Sequence, residues 1–128
     1  DGLCNCLQIL NHLQDIKEDF ERLNRIYLPM NYFKYEKLDT SCLTQNFAVN
    51  PLLRIIKKCL TKVDIILSES EKYLVTITNK KLLKETMVIF LIAKKLSKLL
   101  AKNDPLKKKI KLSRIDLIFC FIKGIINN

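Results

Sequence analysis

The side chains that could do chemistry are few and scattered. His12 is the only histidine, and no serine or cysteine motif near it resembles a nucleophile. The two glycines, Gly2 and Gly124, lie at opposite ends of the chain and cannot form a phosphate-binding loop. The carboxylates run along an exposed helix face instead of converging. The sequence therefore predicts a protein that is not an enzyme and that has no cofactor and no metal.

Cysteines are the other reactive groups, at Cys4, Cys6, Cys42, Cys59 and Cys120. Their spacing and the position of His12 fit no zinc site. Both an oxidised, secreted domain and a reduced helical protein with buried thiols fit this composition. In the oxidised case Cys4 and Cys6 point to different sides of a helix start, so each needs its own partner. Cys42 and Cys59 are the candidates, with three pairings open, and Cys120 is predicted to be a buried free thiol.

Charge divides the chain unevenly. Residues 1–48 carry 5 basic and 7 acidic side chains, whereas residues 49–128 carry 18 basic and 6 acidic ones, within a net charge of +10. The basic excess indicates a surface for heparan sulfate or an acidic receptor, and the alternative is a solvated face that keeps an apolar bundle soluble. Nucleic acid is disfavoured because no stacking aromatics accompany the lysines. The predicted basic patch consists of Lys94, Lys95, Lys98, Lys102, Lys107, Lys108, Lys109 and Lys111.

Apolar residues at spacings of three and four predict four helices in a single domain spanning residues 1–128. The helices are placed at 3–25, from Asn50-Pro51 with Asn50 as the cap to about 76, at 80–101, and from near Ser113, the candidate cap, to about 127. Residues 28–49 are predicted to be a long connection, with a short extended piece near Tyr32–Leu38 as an option. The longest apolar run, at 87–93, is far shorter than the roughly 20 residues that span a bilayer. The start at Asp1, without a signal peptide, is interpreted as that of a mature or trimmed chain.

The connections between these helices predict their topology. The first is about 22 residues long, the second one to four and the third about 11, a length that extended chain can stretch over roughly 36 Å. Long, short, long is the loop pattern of an up-up-down-down four-helix bundle. We therefore predict an all-α fold of this kind with a long first crossover.

The last predicted helix has more apolar surface than one core stripe needs. Its core stripe is predicted at Leu112, Ile115, Phe119, Ile122 and Ile126. Ile118, Phe121 and Ile125 then remain for a partner interface, with Lys123 at its rim. The alternative is that the 28–49 connection folds over them and buries them.

Three stretches of sequence carry a resemblance to a known family: LCNCLQILNHLQDIKEDF, IYLPMNYFKYEKLDTSC and DLIFCFIKGIINN. With them the chain resembles the short-chain four-helix cytokines of the common-γ-chain group, which includes interleukins 2, 4, 15 and 21. The chain departs from that pattern in having no cysteine between 59 and 120 and in placing Phe121 where the family has a polar contact residue. The resemblance implies a secreted, monomeric, disulfide-bonded immune signal that bridges cell-surface receptor chains. It implies receptor contacts at Asp15, Glu18, Asp19, Arg22, Ile118, Phe121 and Lys123.

Two further interpretations remain open. A basic membrane-active protein is the first, because lysine-rich amphipathic helices bind anionic bilayers. An intracellular helical interaction domain is the second. The state of the thiols would separate the cytokine from the intracellular protein, since five free thiols argue against secretion.

Overall fold

A computed structural model describes residues 2–126, and helices are the regular elements of this part of the chain. No strand occurs between these limits, so the prediction of an all-α fold is confirmed. The elements are α1 (Gly2–Gln14), α2 (Ile16–Leu23), α3 (Met30–Tyr35), a 3-10 turn (Thr40–Thr44), α4 (Asn50–Leu74), α5 (Lys80–Lys102) and α6 (Arg114–Ile126).

The first predicted helix is divided in two at Asp15. The buried stripe continues across the break, from Leu10 and Leu13 in α1 to Ile16 in α2. Asn24 ends α2 in a left-handed conformation with φ of 50°, and its N–H donates to the Phe20 carbonyl at 3.1 Å. A left-handed residue at this position is a common helix stop because it satisfies free carbonyl groups.

The 28–49 connection is more ordered than the sequence predicts. The expected extended piece near Tyr32–Leu38 is wrong, because α3 occupies most of it. Tyr32 and Phe33 are buried, so the hydrophobic contacts of this single helical turn and a half fix its conformation. Asp39 then accepts a hydrogen bond from the Ser41 N–H at 2.9 Å and starts the 3-10 turn.

Helices α4 and α5 form the centre of the molecule. α1 packs against both of them, and α6 packs against α5. The buried positions of α4 follow the predicted stripe, which includes Leu52, Ile55 and Ile56. Between the two helices the buried Ser97 hydroxyl donates to Asp64 at 3.1 Å, which satisfies a polar group inside the contact.

Helix α6 starts where the sequence predicts and packs differently. Ser113 and Asp116 exchange hydrogen bonds, with the Asp116 N–H donating to the Ser113 hydroxyl at 3.1 Å and the Ser113 N–H donating to the Asp116 carboxylate at 3.2 Å. This reciprocal arrangement is a capping box. The predicted end, about residue 127, lies outside the described residues.

The core stripe predicted for the last helix is wrong. Cys120 and Gly124 are the buried residues of α6. Small residues suit this contact, since a Cβ on Gly124 would lie 2.6 Å from Val88 Cγ2 of α5. The four large side chains predicted to be buried in α6 are all exposed: Ile115, Phe119, Ile122 and Ile126. Of the predicted stripe only Leu112, just before the helix, is half-buried.

Within residues 2–126, no helix has the combined length and apolar character needed to cross a membrane.

Candidate functional site

The joint between α1 and α2 collects the acidic residues that the sequence singles out. Asp15 sits at the joint with φ of −103° and ψ of 17°, outside the helical region. Its N–H still donates to the Asn11 carbonyl at 3.0 Å, and its carbonyl accepts from the Asp19 N–H at 2.7 Å. Because the chain bends without losing these bonds, Asp15, Glu18 and Asp19 stay on one side of it.

Lys109 supplies the cation of this cluster. Its ammonium lies 3.1 Å from Asp15 Oδ1 and 3.2 Å from Glu18 Oε2. Arg22, one turn further along α2, donates to Glu18 Oε1 at 2.9 Å. The acidic face and one member of the predicted basic patch are therefore partners within the same molecule.

The segment that carries Lys109 is held on both sides. Leu106 and Ile110 are buried in the core, and the Gln14 side-chain amide donates to the Ile110 carbonyl at 2.8 Å. Asp104 accepts from the Leu106 N–H at 2.9 Å and from the Ala48 N–H at 2.7 Å. These contacts tie the α5–α6 connection to α1 and to the 28–49 connection, so Lys109 reaches the carboxylates from an ordered backbone.

The pKa values of Glu18 and Asp19 are shifted in opposite directions. The hydrogen bond and charge of Lys109 lower the pKa of Glu18. Partial burial and the neighbouring Asp15 carboxylate raise the pKa of Asp19. Hydrogen bonds to Asp15 and Glu18 raise the pKa of Lys109. Neighbouring groups whose pKa values are shifted apart can divide the roles of fixed anion and proton carrier.

An open cavity of about 220 Å³ adjoins the cluster, lined by Gln14, Lys17, Glu18, Leu106 and Lys109 among others. A second cavity of about 170 Å³ lies on the other side of α1. There His12 stacks on Tyr27 with ring centroids 4.0 Å apart, and Lys58 and Lys62 lie over the Tyr32 ring. These aromatic contacts could not be read from the sequence, because they join residues of separate elements.

The lysines of the predicted basic patch line different grooves of the structure. Lys94, Lys95 and Lys98 line a groove of about 510 Å³ between α5 and α6. Lys102, Lys107 and Lys108 line a different groove, of about 890 Å³, beside the start of α4. Lys109 belongs to the acidic cluster, and Lys111 is exposed. The residues predicted on α6, Ile118, Phe121 and Lys123, are exposed on a helix that packs against α5.

The cysteines remain as thiols. The described residues include all five, and the structure contains none of the bridges considered among Cys4, Cys6, Cys42 and Cys59. Cys6 and Cys59 are buried in the core, where the Cys6 thiol donates to the Val63 carbonyl at 3.7 Å. Burial raises the pKa values of both thiols, which makes them less reactive. Between residues 2 and 126, no three side chains of His, Cys, Asp or Glu are arranged to hold a metal ion.

The matched family decides what kind of protein carries this cluster. The family model described as squalene/phytoene synthase matches residues 1–116, a stretch that contains the whole acidic joint and Lys109. The chain belongs to the squalene/phytoene synthase family. No solved structure gives a significant match.

Curated relatives of this family member are bacterial enzymes. The hydroxysqualene synthase of Zymomonas mobilis is 34% identical over 110 residues, which make up 86% of this chain and 37% of the relative. That of Sinorhizobium fredii is 29% identical over 118 residues, or 92% of this chain and 40% of the relative. The chain thus spans about two fifths of the length of the curated relatives it matches.

Family membership overturns the cytokine interpretation. The predictions of an interleukin-like growth factor, of receptor-chain partners with heparan sulfate, and of a secreted location are wrong. The prediction that the chain is not an enzyme is also wrong, because the family and its curated members are synthases. The alternative of a basic membrane-active protein is wrong for the same reason. The resemblance misled because its stretches were short and its strongest support was loop length.

Proposed function

We propose that this chain forms part of a squalene/phytoene-type synthase and that the complete enzyme makes hydroxysqualene or a closely similar product. The observation that carries the proposal is the Asp15–Glu18–Asp19 cluster, joined to Lys109 inside the stretch that the family match covers. The names of the curated relatives support this choice of product.

The chemistry of such a product sets the demands on the site. Hydroxysqualene is a long apolar chain with one hydroxyl group, so its enzyme needs an apolar wall and a few fixed polar groups. In this chain the carboxylate cluster at the joint of α1 and α2 supplies the fixed polar groups, and Glu18 lines the open cavity beside it. The proposal assigns the cluster to the polar end of the substrate site.

Each polar residue has a proposed role. Glu18, held by Lys109 and Arg22, is a fixed anion that stabilises positive charge near it. Asp19, whose pKa is raised by partial burial and by the Asp15 carboxylate, is the group proposed to exchange a proton. Asp15, at the bend between α1 and α2, positions Lys109 next to Glu18. These roles follow from charge and geometry at the joint.

The framework of this site is a proposal as well. The longer helices α1, α4, α5 and α6 account for the four helices predicted from the sequence, and we propose that they act as one four-helix folding unit spanning residues 1–128. The short α4–α5 connection, residues 75–79, favours an antiparallel pair.

A chimeric enzyme tests the function. In the Zymomonas mobilis hydroxysqualene synthase, the segment that matches this chain is replaced by residues 1–116 of this chain. We expect the folded chimera to produce hydroxysqualene, detected by mass spectrometry of lipid extracts. A chimera that has native-like helix content by circular dichroism and yields none of this product would contradict the proposal. The unmodified relative is the positive control.

A further inference from the structure

The outer face of α6 is a continuous apolar stripe. Ile115 is 67% exposed, Ile118 57%, Ile122 49% and Ile125 38%. With about 3.6 residues per turn, these four side chains lie opposite Cys120 and Gly124, the two buried residues that face α5. The helix therefore has a small-residue inner face and an isoleucine outer face, which we call the isoleucine seam.

The spacing of the isoleucine seam is that of a helix–helix contact. Its members are three, four and three residues apart, the a/d pattern of interlocking helices. The pattern is the same from either end, because residues 115 and 125, and residues 118 and 122, are placed symmetrically about residue 120. In an antiparallel pair of identical helices, Ile115 would meet the second copy's Ile125, and Ile118 the second copy's Ile122. A two-fold interface requires this self-complementarity.

Charge and area agree with a second copy as the occupant. Of the three charged side chains of α6, Asp116 and Lys123 lie on the Cys120 side, and Arg114 lies at the first-turn edge of the isoleucine seam, where its head group can stay in solvent. Phe119, 70% exposed, and Phe121, 57% exposed, flank the seam and widen it. Together the six side chains offer on the order of 600 Å² per copy, near the lower end for a specific interface.

The isoleucine seam is also peripheral to the family match. That match ends at residue 116, so Ile118, Ile122 and Ile125 lie beyond it. We propose that this chain forms a two-fold dimer in which the α6 helices pair antiparallel along their isoleucine seams. The dimer does not depend on the proposed synthase function, since it uses only exposed side chains of α6, of which Ile115 and Phe119 also border the groove between α5 and α6.

Sedimentation equilibrium of the full 128-residue chain tests the dimer. At tens of micromolar the wild-type chain is expected to have twice the monomer mass. Ile118→Lys with Ile122→Lys is expected to leave a monomer, because facing lysines repel and cannot be buried. Ile65→Lys, the same change at an exposed isoleucine of α4, is the matched control and should stay dimeric.

Ile118→Ala with Ile122→Ala covers the case in which the lysine variant unfolds. Alanine favours helix, so this variant keeps α6 while weakening the dimer by about tenfold or more. A monomeric wild-type chain would overturn the proposal, and so would an association that neither double variant changes. An open series of larger assemblies would also overturn it, since a two-fold contact closes at two copies.

Discussion

Lys109 is the residue that joins the two oppositely charged parts of this chain. Its ammonium contacts Asp15 and Glu18, although 94 and 91 positions separate it from them in sequence. All three side chains are partly exposed, so the pairs are screened by solvent and contribute little to stability. Their effect is local, because they fix the charge state and orientation of the carboxylates.

Replacement of Lys109 should therefore change titration more than folding. In Lys109→Met the pKa of Glu18 is expected to rise towards its usual value of 4.5, because the hydrogen bond and charge that lower it are lost. Carbon-13 NMR of the side-chain carboxyl group, followed through pH, measures this. Lys111→Met, in the same segment, is the control and should leave Glu18 unchanged. An identical Glu18 titration in both variants would contradict the assigned contact.

The same shift predicts a direction for acid sensitivity. A carboxyl group whose pKa is lower in the folded state contributes stability above its unfolded pKa, and loses it as pH falls through the folded value. The pKa values of Glu18 and Glu36 are both lowered in the folded protein. For Glu36 the partner is Arg54, whose Nη2 lies 2.8 Å from Glu36 Oε1. Urea unfolding should therefore show stability falling as pH decreases below 4.5, and falling less in Glu36→Gln. An equal decline in both proteins would count against the Glu36–Arg54 pair.

At this residue scale the sequence predicted part of the site. The spacing of Asp15, Glu18 and Asp19 placed them on one helix face, because helical periodicity is local. Lys109 could not be assigned to them, because its contact depends on how the α5–α6 connection returns to α1. Both charged groups were consequently matched to outside partners.

Helices were the most predictable elements. Long amphipathic stripes predicted α4 and α5 almost to the residue, and the Ser113 cap of α6 is confirmed by its hydrogen bonds. Shorter elements escaped prediction because tertiary burial decides them. α3 lacks a periodic pattern long enough to read, and the break at Asp15 leaves the hydrophobic stripe uninterrupted.

The helix caps give a test at the same scale. Asn79 accepts a hydrogen bond from the Leu82 N–H at 3.1 Å, whereas Asn50, the cap predicted from sequence, is the first residue of α4 and Val49 takes the cap position. Asn79→Ala is expected to lower the free energy of unfolding by about 1 kcal/mol. Asn50→Ala should have a smaller effect. Thermal and urea unfolding measure both, and equal losses would contradict the assignment of the caps.

The contact between α5 and α6 gives another test at the scale of the helices. In Gly124→Ala the new methyl group would lie 2.6 Å from Val88 Cγ2 and 3.1 Å from the Val88 backbone nitrogen. We expect a loss of about 1–3 kcal/mol, as for other overpacked contacts, and faster hydrogen exchange in α6. Val88→Ala removes the nearer clash, so the double variant should recover part of the loss. A Gly124→Ala protein as stable as wild type would show that α6 packs otherwise.

For the whole molecule, architecture alone was a poor guide to function. Long and short connections between helices predicted a cytokine topology, yet many unrelated activities share simple helical folds. The family could not be recognised from the acidic face because three carboxylates on a helix are also a common solvated surface. Family membership came from similarity along residues 1–116.

We propose that the acidic joint of α1 and α2 is the working site of a synthase. The most direct measurement is the rate of hydroxysqualene formation by the chimeric enzyme with Asp15→Asn, compared with Glu85→Gln on the exposed side of α5 as the matched control. We predict that Asp15→Asn lowers kcat by about a hundredfold or more while the control keeps full activity. Equal activity of the two folded variants would contradict the claim.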